Sequence, residues 1–277
     1  MRTVLVTGGS RGIGKAIAKK LYARGCYVVG TSTDGSGPEG FVDEWLKADF
    51  STVNGIKQFC DFIEKMDAFD VLVNNAGILR DKSFHKISIE DFNLVMSVHF
   101  QGTLNCTHTV FPIMREQNYG RIIFTSSSSG VFGNFGQSNY GSAKMAMVGL
   151  MNTLKIEGQK YNIHTNSITP VAYTRMTDGL LPEEVGESLQ PEYVTPAVIY
   201  LSGNDAPNGA IVSAGAGVYS RIFIHETDGV SLGMGEEMTP ENIAASWDSI
   251  SDMKLSLIHI SEPTRRYAIS YAVFCLK

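Results

Sequence analysis

Val4-Leu5-Val6 is a short apolar run that stops at Thr7-Gly8-Gly9-Ser10-Arg11-Gly12-Ile13-Gly14. Behind it Ile13, Ile17, Ala18 and Leu21 recur at helical spacing. A strand, a glycine-rich turn and an amphipathic helix, in that order, confine a chain to a small group of α/β folds. Such a turn can be a tight connection with no ligand. The strand before it and the helix after it favour a pyrophosphate held by Thr7, Gly8, Ser10, Arg11, Gly12, Ile13 and Gly14. The glycines let the backbone come close to the phosphates, and the helix N-terminus offers amide donors and the positive end of its dipole.

The pattern continues in kind. Tyr27 to Thr31 reads as a second strand, Asp34 to Gly40 as a loop, and Ala48-Asp49-Phe50 as the end of a third strand. Val53, Ile56, Phe59, Ile63 and Met66 mark a helix face, and Val71-Leu72-Val73 is a fourth strand ending in Asn74-Asn75-Ala76-Gly77. One long helical pattern runs from Ile89 to Met114, Arg121 to Thr125 is a fifth strand, and Ile163 to Ile168 a sixth. A last helix and strand occupy Pro191 to Leu201 and Ala210 to Ala214. Alternation with helical crossovers predicts a single-domain Rossmann-type doubly wound parallel sheet with helices on both faces. Ligands of such sheets bind at the carboxyl edge, which puts Asn75, Ala76, Gly77 and Asp49 on the cofactor side. Asp49 would accept from an adenine amino group or cap a helix.

A second group of residues supplies chemistry. Ser127 precedes Tyr140 by thirteen residues and Lys144 follows it by four. On a helix, positions i and i+4 share a face, so the phenol and the ammonium would be neighbours. The same spacing occurs on ordinary helix faces. Read chemically, the cation lowers the phenol pKa and makes it a usable acid or base. Ser127, set opposite by a loop of Gly130, Gly133 and Gly136, would donate to a carbonyl oxygen as charge develops there. Nothing in this set accepts a hydride, so a cofactor must.

Composition narrows the partners. A net charge of −5 with no basic run argues against nucleic acid, and no apolar stretch is long enough to span a bilayer. MRTVLVTGG enters a strand at once, leaving no room for a signal peptide, and Cys26, Cys60, Cys106 and Cys275 show neither close pairing nor metal-ligand spacing. The expectation is a cytoplasmic protein with reduced thiols and no metal site.

In order and spacing these motifs resemble the short-chain dehydrogenase/reductase family over about Arg2 to Lys254. The resemblance implies that Tyr140 is the acid/base, that Ser127 orients the substrate carbonyl, and that Lys144 tunes Tyr140 and holds the nicotinamide ribose. It extends the cofactor set to Ser32, Thr33, Phe50, Pro170 and Thr174, places Gln137 with Ser127 and Tyr140 at the substrate, and implies a homotetramer or homodimer. Two positions depart from the family pattern. His99 stands where a relay asparagine is usual, and would titrate near neutral pH unless it is simply a buried structural histidine. Pro170-Val171 replaces Pro-Gly. The segments NNAGILRDKSF, VHFQGT, SSSSGVFGNFGQSNYGSAK and MTPENIAASW resemble the (3R)-hydroxyacyl-CoA dehydrogenase domain of peroxisomal multifunctional β-oxidation enzymes. The amino-terminal third resembles 3-oxoacyl-(acyl carrier protein) reductases. Both imply an acyl thioester substrate. Other ketones, secondary alcohols, or an idle NAD(P)-binding module are the alternatives. For the cofactor, NADP or NAD, Ser32 and Thr33 decide nothing, Asp34 opposes a 2′-phosphate, and Arg11 tips the expectation toward NADP.

The last stretch reads differently. Leu255 to Arg265 resembles the in-frame translation of a transposase adapter used in preparing sequencing libraries. Ile269 to Leu276 resembles the translation of the flow-cell end of the same DNA, with Arg266 to Ala268 between them. Residues 255–277 are therefore expected to be an artefact outside the 1–254 domain, not a genuine terminal helix or strand. Ending the chain after Lys254 should leave activity and melting temperature unchanged; a fall of several degrees would make the segment part of the fold.

Overall fold

The computed structural model describes residues 1–66, 68–174, 183–233 and 235–253. Leu255–Lys277 lies outside them. The elements run β1 (Thr3–Val6), α1 (Gly12–Tyr22), β2 (Tyr27–Ser32), β3 (Glu44–Lys47), α2 (Val53–Ile63), β4 (Val71–Asn74) and α3 (Ile89–Met96). There follow α4 (Gly102–Glu116), β5 (Gly120–Thr125), α5 (Ser128–Phe132), α6 (Ser138–Glu157), β6 (Ile163–Pro170), α7 (Glu183–Ser188), α8 (Thr195–Leu201), β7 (Ile211–Gly215) and β8 (Val218–Ile222). These make one compact unit, Met1–Ile222; α9 (Pro240–Ala245) and α10 (Trp247–Ile250) belong to a second unit that begins at Phe223.

The eight strands form one sheet in the order β3-β2-β1-β4-β5-β6-β7-β8. Every pairing is parallel except β7 with β8, which are antiparallel. Val4–Val6, Val71–Val73 and Ile122–Phe124 are buried as unbroken apolar runs, as strands covered on both faces must be. One face packs Phe59, Ile63, Val110, Met114, Met147 and Met151 from α2, α4 and α6; the other packs Ile17, Leu21, Val198 and Leu201 from α1 and α8. Strand order reverses between β1 and β4. The loops leaving those two strands must diverge, and a crevice opens between them.

Three local differences from the sequence pattern bear on that crevice. The third strand ends at Lys47, before Ala48-Asp49-Phe50. There the chain turns to start α2: the Asp49 carbonyl accepts from Thr52 N, and Thr52 caps the helix at Gly55 N. The helical pattern from Ile89 to Met114 is interrupted by a π-helical turn over Ser97–Gln101, which contains His99. Finally, Gly130 lies inside the short helix α5, while Gly133 and Gly136, at φ +82° and +79°, make the turns that follow it.

Candidate active site

The loops after β1 and β4 are tied together by side chains. Thr7 Oγ accepts from the backbone N–H of Asn75 (2.9 Å) and of Ala76 (3.0 Å), and Asn75 Nδ2 donates back to the carbonyls of Thr7 (3.0 Å) and Gly8 (3.3 Å). Gly14 packs under this lock, where a Cβ would fall 2.3 Å from Gly8 O and 2.5 Å from Asn75 Nδ2. Gly8 and Gly12 adopt φ +65° and +53°. Thr7 and Gly14 thus shape the turn from beneath instead of facing the crevice.

Above the lock is a cleft of about 1050 Å³. Gly8, Ser10, Arg11, Gly12, Ile13, Ser32, Thr33, Asp49, Phe50, Asn75, Ala76, Gly77 and Thr174 line it, all singled out from the sequence. Asp34, Ser36, Gly37 and Pro38 also line it, together with Ile78 to Arg80. The sequence pattern shows Asp34 to Gly40 as a loop and Asp34 as a group opposing a 2′-phosphate; the three glycines and proline of that loop are the sign that it folds back. Pro170 ends β6 and does not line the cleft.

The cleft suits an anion. Helix α1 has no side-chain cap and no acid in its first turn, and its N-terminus opens beside the cleft-lining residues Arg11, Gly12 and Ile13. Its N-terminal amides are left for something else. Arg11 beside them is exposed and makes no ion pair among the described residues. A backbone cradle held open by glycines, an uncapped helix and a free guanidinium fit the diphosphate of a dinucleotide.

Ser127, Tyr140 and Lys144 lie beyond the far wall of this cleft. Ser127 follows β5 and caps α5, its Oγ accepting from Ser129 N (3.2 Å). Helix α5 sits close on α6: a Cβ at Gly130 would be 2.8 Å from that of Lys144, and one at Gly141 2.9 Å from Ser129 O. That approach brings Ser127 to the Tyr140 phenol. Gln137 is held by Asp81 (2.6 Å) and Asn134 (3.0 Å), and Lys82 N bonds Gly136 O, so the loop before α6 is fastened to residues 81–82.

His99 joins the two regions. Its imidazole meets Tyr140 edge to face at 5.1 Å and fills the space a side chain at Gly77 would need, a Cβ there lying 2.3 Å from Cε1. Nε2 lies 2.7 Å from the Ile78 carbonyl and 3.0 Å from the Ile78 N–H. One nitrogen cannot donate and accept at once. The shorter contact puts the proton on Nε2, which leaves Nδ1 as a buried acceptor without a partner among the described residues.

The charges are governed by burial. Lys144 is buried without an acidic partner among the described residues; Nζ donates to Thr125 O at 2.5 Å, and desolvation lowers its pKa to about 7. Nζ is 5.3 Å from the Tyr140 ring centroid. The lowered phenol pKa expected from the spacing does not follow. Burial pushes Tyr140 up, and the opposing influence comes from the Ser127 hydroxyl. Of the two readings of His99, the buried histidine is the one the fold favours: burial, then the Lys144 charge, lower its pKa to about 3.

Residues 2–184 match the family model for short chain dehydrogenase. The chain belongs to the short-chain dehydrogenase/reductase family. Peroxisomal multifunctional enzyme type 2 of Mus musculus is 40% identical over 269 residues, covering 91% of this chain and 37% of that protein. Acetoacetyl-CoA reductase of Rhizobium meliloti is 37% identical over 245 residues, 79% of this chain and 98% of that one. The structure of full-length peroxisomal multifunctional enzyme type 2 from Drosophila melanogaster superposes with a TM-score of 0.76 at 34% identity. It covers 98% of this chain and 49% of that one. The chain therefore spans less than half the length of these multifunctional relatives. As an oxidoreductase of this family it pairs a Rossmann-like sheet with NAD(P)-type chemistry. Among the described residues no helix is long and apolar enough to cross a membrane.

The depressed His99 value has a signed consequence. The unfolded chain, with an ordinary pKa of 6.5, takes up a proton that the folded chain refuses until about pH 3. Stability attributable to His99 is thus full above pH 6.5 and falls as pH drops below it. From pH 6.5 to 5 the wild type should lose about 2 kcal/mol more than His99→Asn in urea unfolding. Equal losses would mean that His99 is protonated in the fold.

Proposed function

We propose that this protein reversibly interconverts 3-hydroxyacyl and 3-oxoacyl thioesters, with NADP or NAD in the β1–β4 crevice. The observation that carries this is the Ser127/Tyr140 pair, with buried Lys144 behind it, meeting the dinucleotide-sized cleft through His99 and Gly77. The acyl thioester is supported by the relatives, one of which is named an acetoacetyl-CoA reductase. Bound in the cleft, the nicotinamide would supply or take the hydride.

The chain's own residues handle the proton. Tyr140, kept protonated by burial, would give its phenolic proton to the carbonyl oxygen during reduction and recover it during oxidation. Ser127 would donate a hydrogen bond to the same oxygen as negative charge grows on it. Lys144, near pKa 7 and held by Thr125 O, can exchange a proton at physiological pH and stabilise the phenolate once it forms. Neutral His99 would hold the wall formed by Gly77 and Ile78 and offer Nδ1 to a polar group or water in the assembled site. Gln137 would face the substrate from a loop fixed by Asp81 and Asn134. Assembly as a homodimer or homotetramer is proposed from family membership, and sedimentation would measure it.

Tyr140→Phe should lower turnover of acetoacetyl-CoA by about 10³-fold or more, as loss of a general acid with its hydrogen bonds does, while dinucleotide affinity changes little. A tenth of wild-type activity surviving would remove Tyr140 from the role. Activity on simple ketones, with none on the thioester, would move the substrate class. Arg11→Ala should weaken NADPH more than NADH, since only NADPH offers a 2′-phosphate for a charge-assisted bond. Parallel losses would end the preference for NADP.

A further inference from the structure

Trp45 stands at the middle of β3, opposite Gly30 of β2. Its six-membered ring lies over that glycine: a Cβ at Gly30 would be 2.7 Å from Cζ3. The loop after β2 folds back onto the same ring, where a Cβ at Gly37 would be 2.1 Å from Cζ2. Two residues further along the same face of β3, Gly35 rests on Lys47, where a Cβ would be 2.9 Å from the lysine's own. Gly35 and Gly40 take φ +82° and +89°, so the loop leaves and rejoins the sheet through backbone shapes that favour glycine. Trp45 thus touches two stretches of backbone, at Gly30 and at Gly37, that carry no side chain to displace it. Gly9 of the phosphate-binding turn comes near the ring as well, a Cβ there lying 3.7 Å from Cζ3.

The clamped loop carries Asp34 into the cleft. Its Oδ1 accepts from Ser32 Oγ and from Ser36 N, both at 3.0 Å, so both of these bonds hold the carboxylate through Oδ1 and neither uses Oδ2. The hydrogen bonds from Ser36 and then Ser32 keep its pKa below the usual carboxylate value. A fixed carboxylate beside the end of β2 accepts a hydrogen bond from a ribose hydroxyl and repels a phosphate at that hydroxyl. Arg11, in the same cleft, acts in the opposite sense and is not ion-paired with Asp34.

We propose that Trp45 is a positioning residue for dinucleotide choice: by clamping the Asp34–Gly40 loop onto β3 it holds the Asp34 carboxylate where it discriminates a ribose hydroxyl from a ribose phosphate. The proposal rests on the reading of this cleft as an NAD(P) site. Trp45 touches neither substrate nor the reacting atoms. Its removal changes which cofactor binds and leaves the proton-handling residues in place.

The test is equilibrium titration of NADH and of NADPH, followed by nicotinamide fluorescence, with Trp45→Ala, Trp45→Phe, Asp34→Ala and the Trp45→Ala/Asp34→Ala double variant. Trp45→Ala should weaken NADH by about tenfold, the effect of losing one charge-assisted hydrogen bond, and NADPH by twofold or less. Trp45→Phe should restore most of the difference. The double variant should bind no worse than Asp34→Ala alone, since the two substitutions remove one interaction. For Trp45→Ala the kcat at saturating cofactor should stay within about twofold of wild type, because Trp45 does not line the cleft. Should Trp45→Ala fail to fold, Gly37→Ala presses on the ring from the loop side and should shift the same ratio. Equal losses for the two cofactors, or additive losses in the double variant, overturn the clamp while leaving the cofactor reading intact. A wild-type protein that binds neither dinucleotide overturns both.

Discussion

The reciprocal bonding of Thr7 and Asn75 is the constraint on which the rest of the site depends. Adjacent parallel strands deliver their following loops to one edge, but nothing in a β-ladder fixes how those loops meet. Here one hydroxyl satisfies two amides of the β4 loop, and one amide side chain satisfies two carbonyls of the β1 loop. The start of α1 is thereby set against Asn75, and Gly77, two residues on, admits the His99 ring. Loss of either partner would leave several buried polar groups unmatched, each costing about 1–3 kcal/mol. The geometry of the cleft and that of the proton-handling residues are two ends of one connected structure.

A second feature is how little counter-charge the interior holds. Lys144 is buried with a carbonyl for its main partner, and His99 is kept neutral. In the absence of a carboxylate, the lysine sits near its titration point. Such a group answers to small changes in its surroundings, and a phenolate forming at Tyr140 is one of the largest available. The imidazole contributes shape and a hydrogen bond to Ile78. The ring comes from the π-helical turn at Ser97–Gln101 and meets the Ile78 backbone.

Much of this was legible in the sequence because it follows from local pattern. The strand–glycine–helix unit at residues 4–21, the apolar runs of β4 and β5, and the Tyr140/Lys144 spacing each express a single periodicity. What escaped came from longer-range packing. The sign of the Tyr140 shift depends on how deeply α5 and α6 bury the phenol, which i, i+4 spacing does not encode. The His99 shift likewise reflects enclosure by Gly77, Ile78 and Tyr140, drawn from three segments. The π-helical turn lies inside an uninterrupted helical pattern and has no residue signature there. Trp45 gives no sign of its contacts in the sequence, since its neighbours Gly30 and Gly37 carry no side chains to reveal them.

The two halves of the site also differ in how far along the chain their contacts reach. Ser126 Oγ bonds the Lys144 carbonyl across 18 residues, and Lys144 Nζ reaches Thr125 across 19. The Thr7–Asn75 contact spans 68. By the logarithmic dependence of closure entropy on loop length, the longer closure costs about 1 kcal/mol more. Short-range contacts assemble sooner, so the segment from Thr125 to Lys144 can take its shape while the crevice between β1 and β4 is still open. A dinucleotide that binds only the closed crevice would stabilise the last contacts to form, and would act as a template for the slower half of its own binding site.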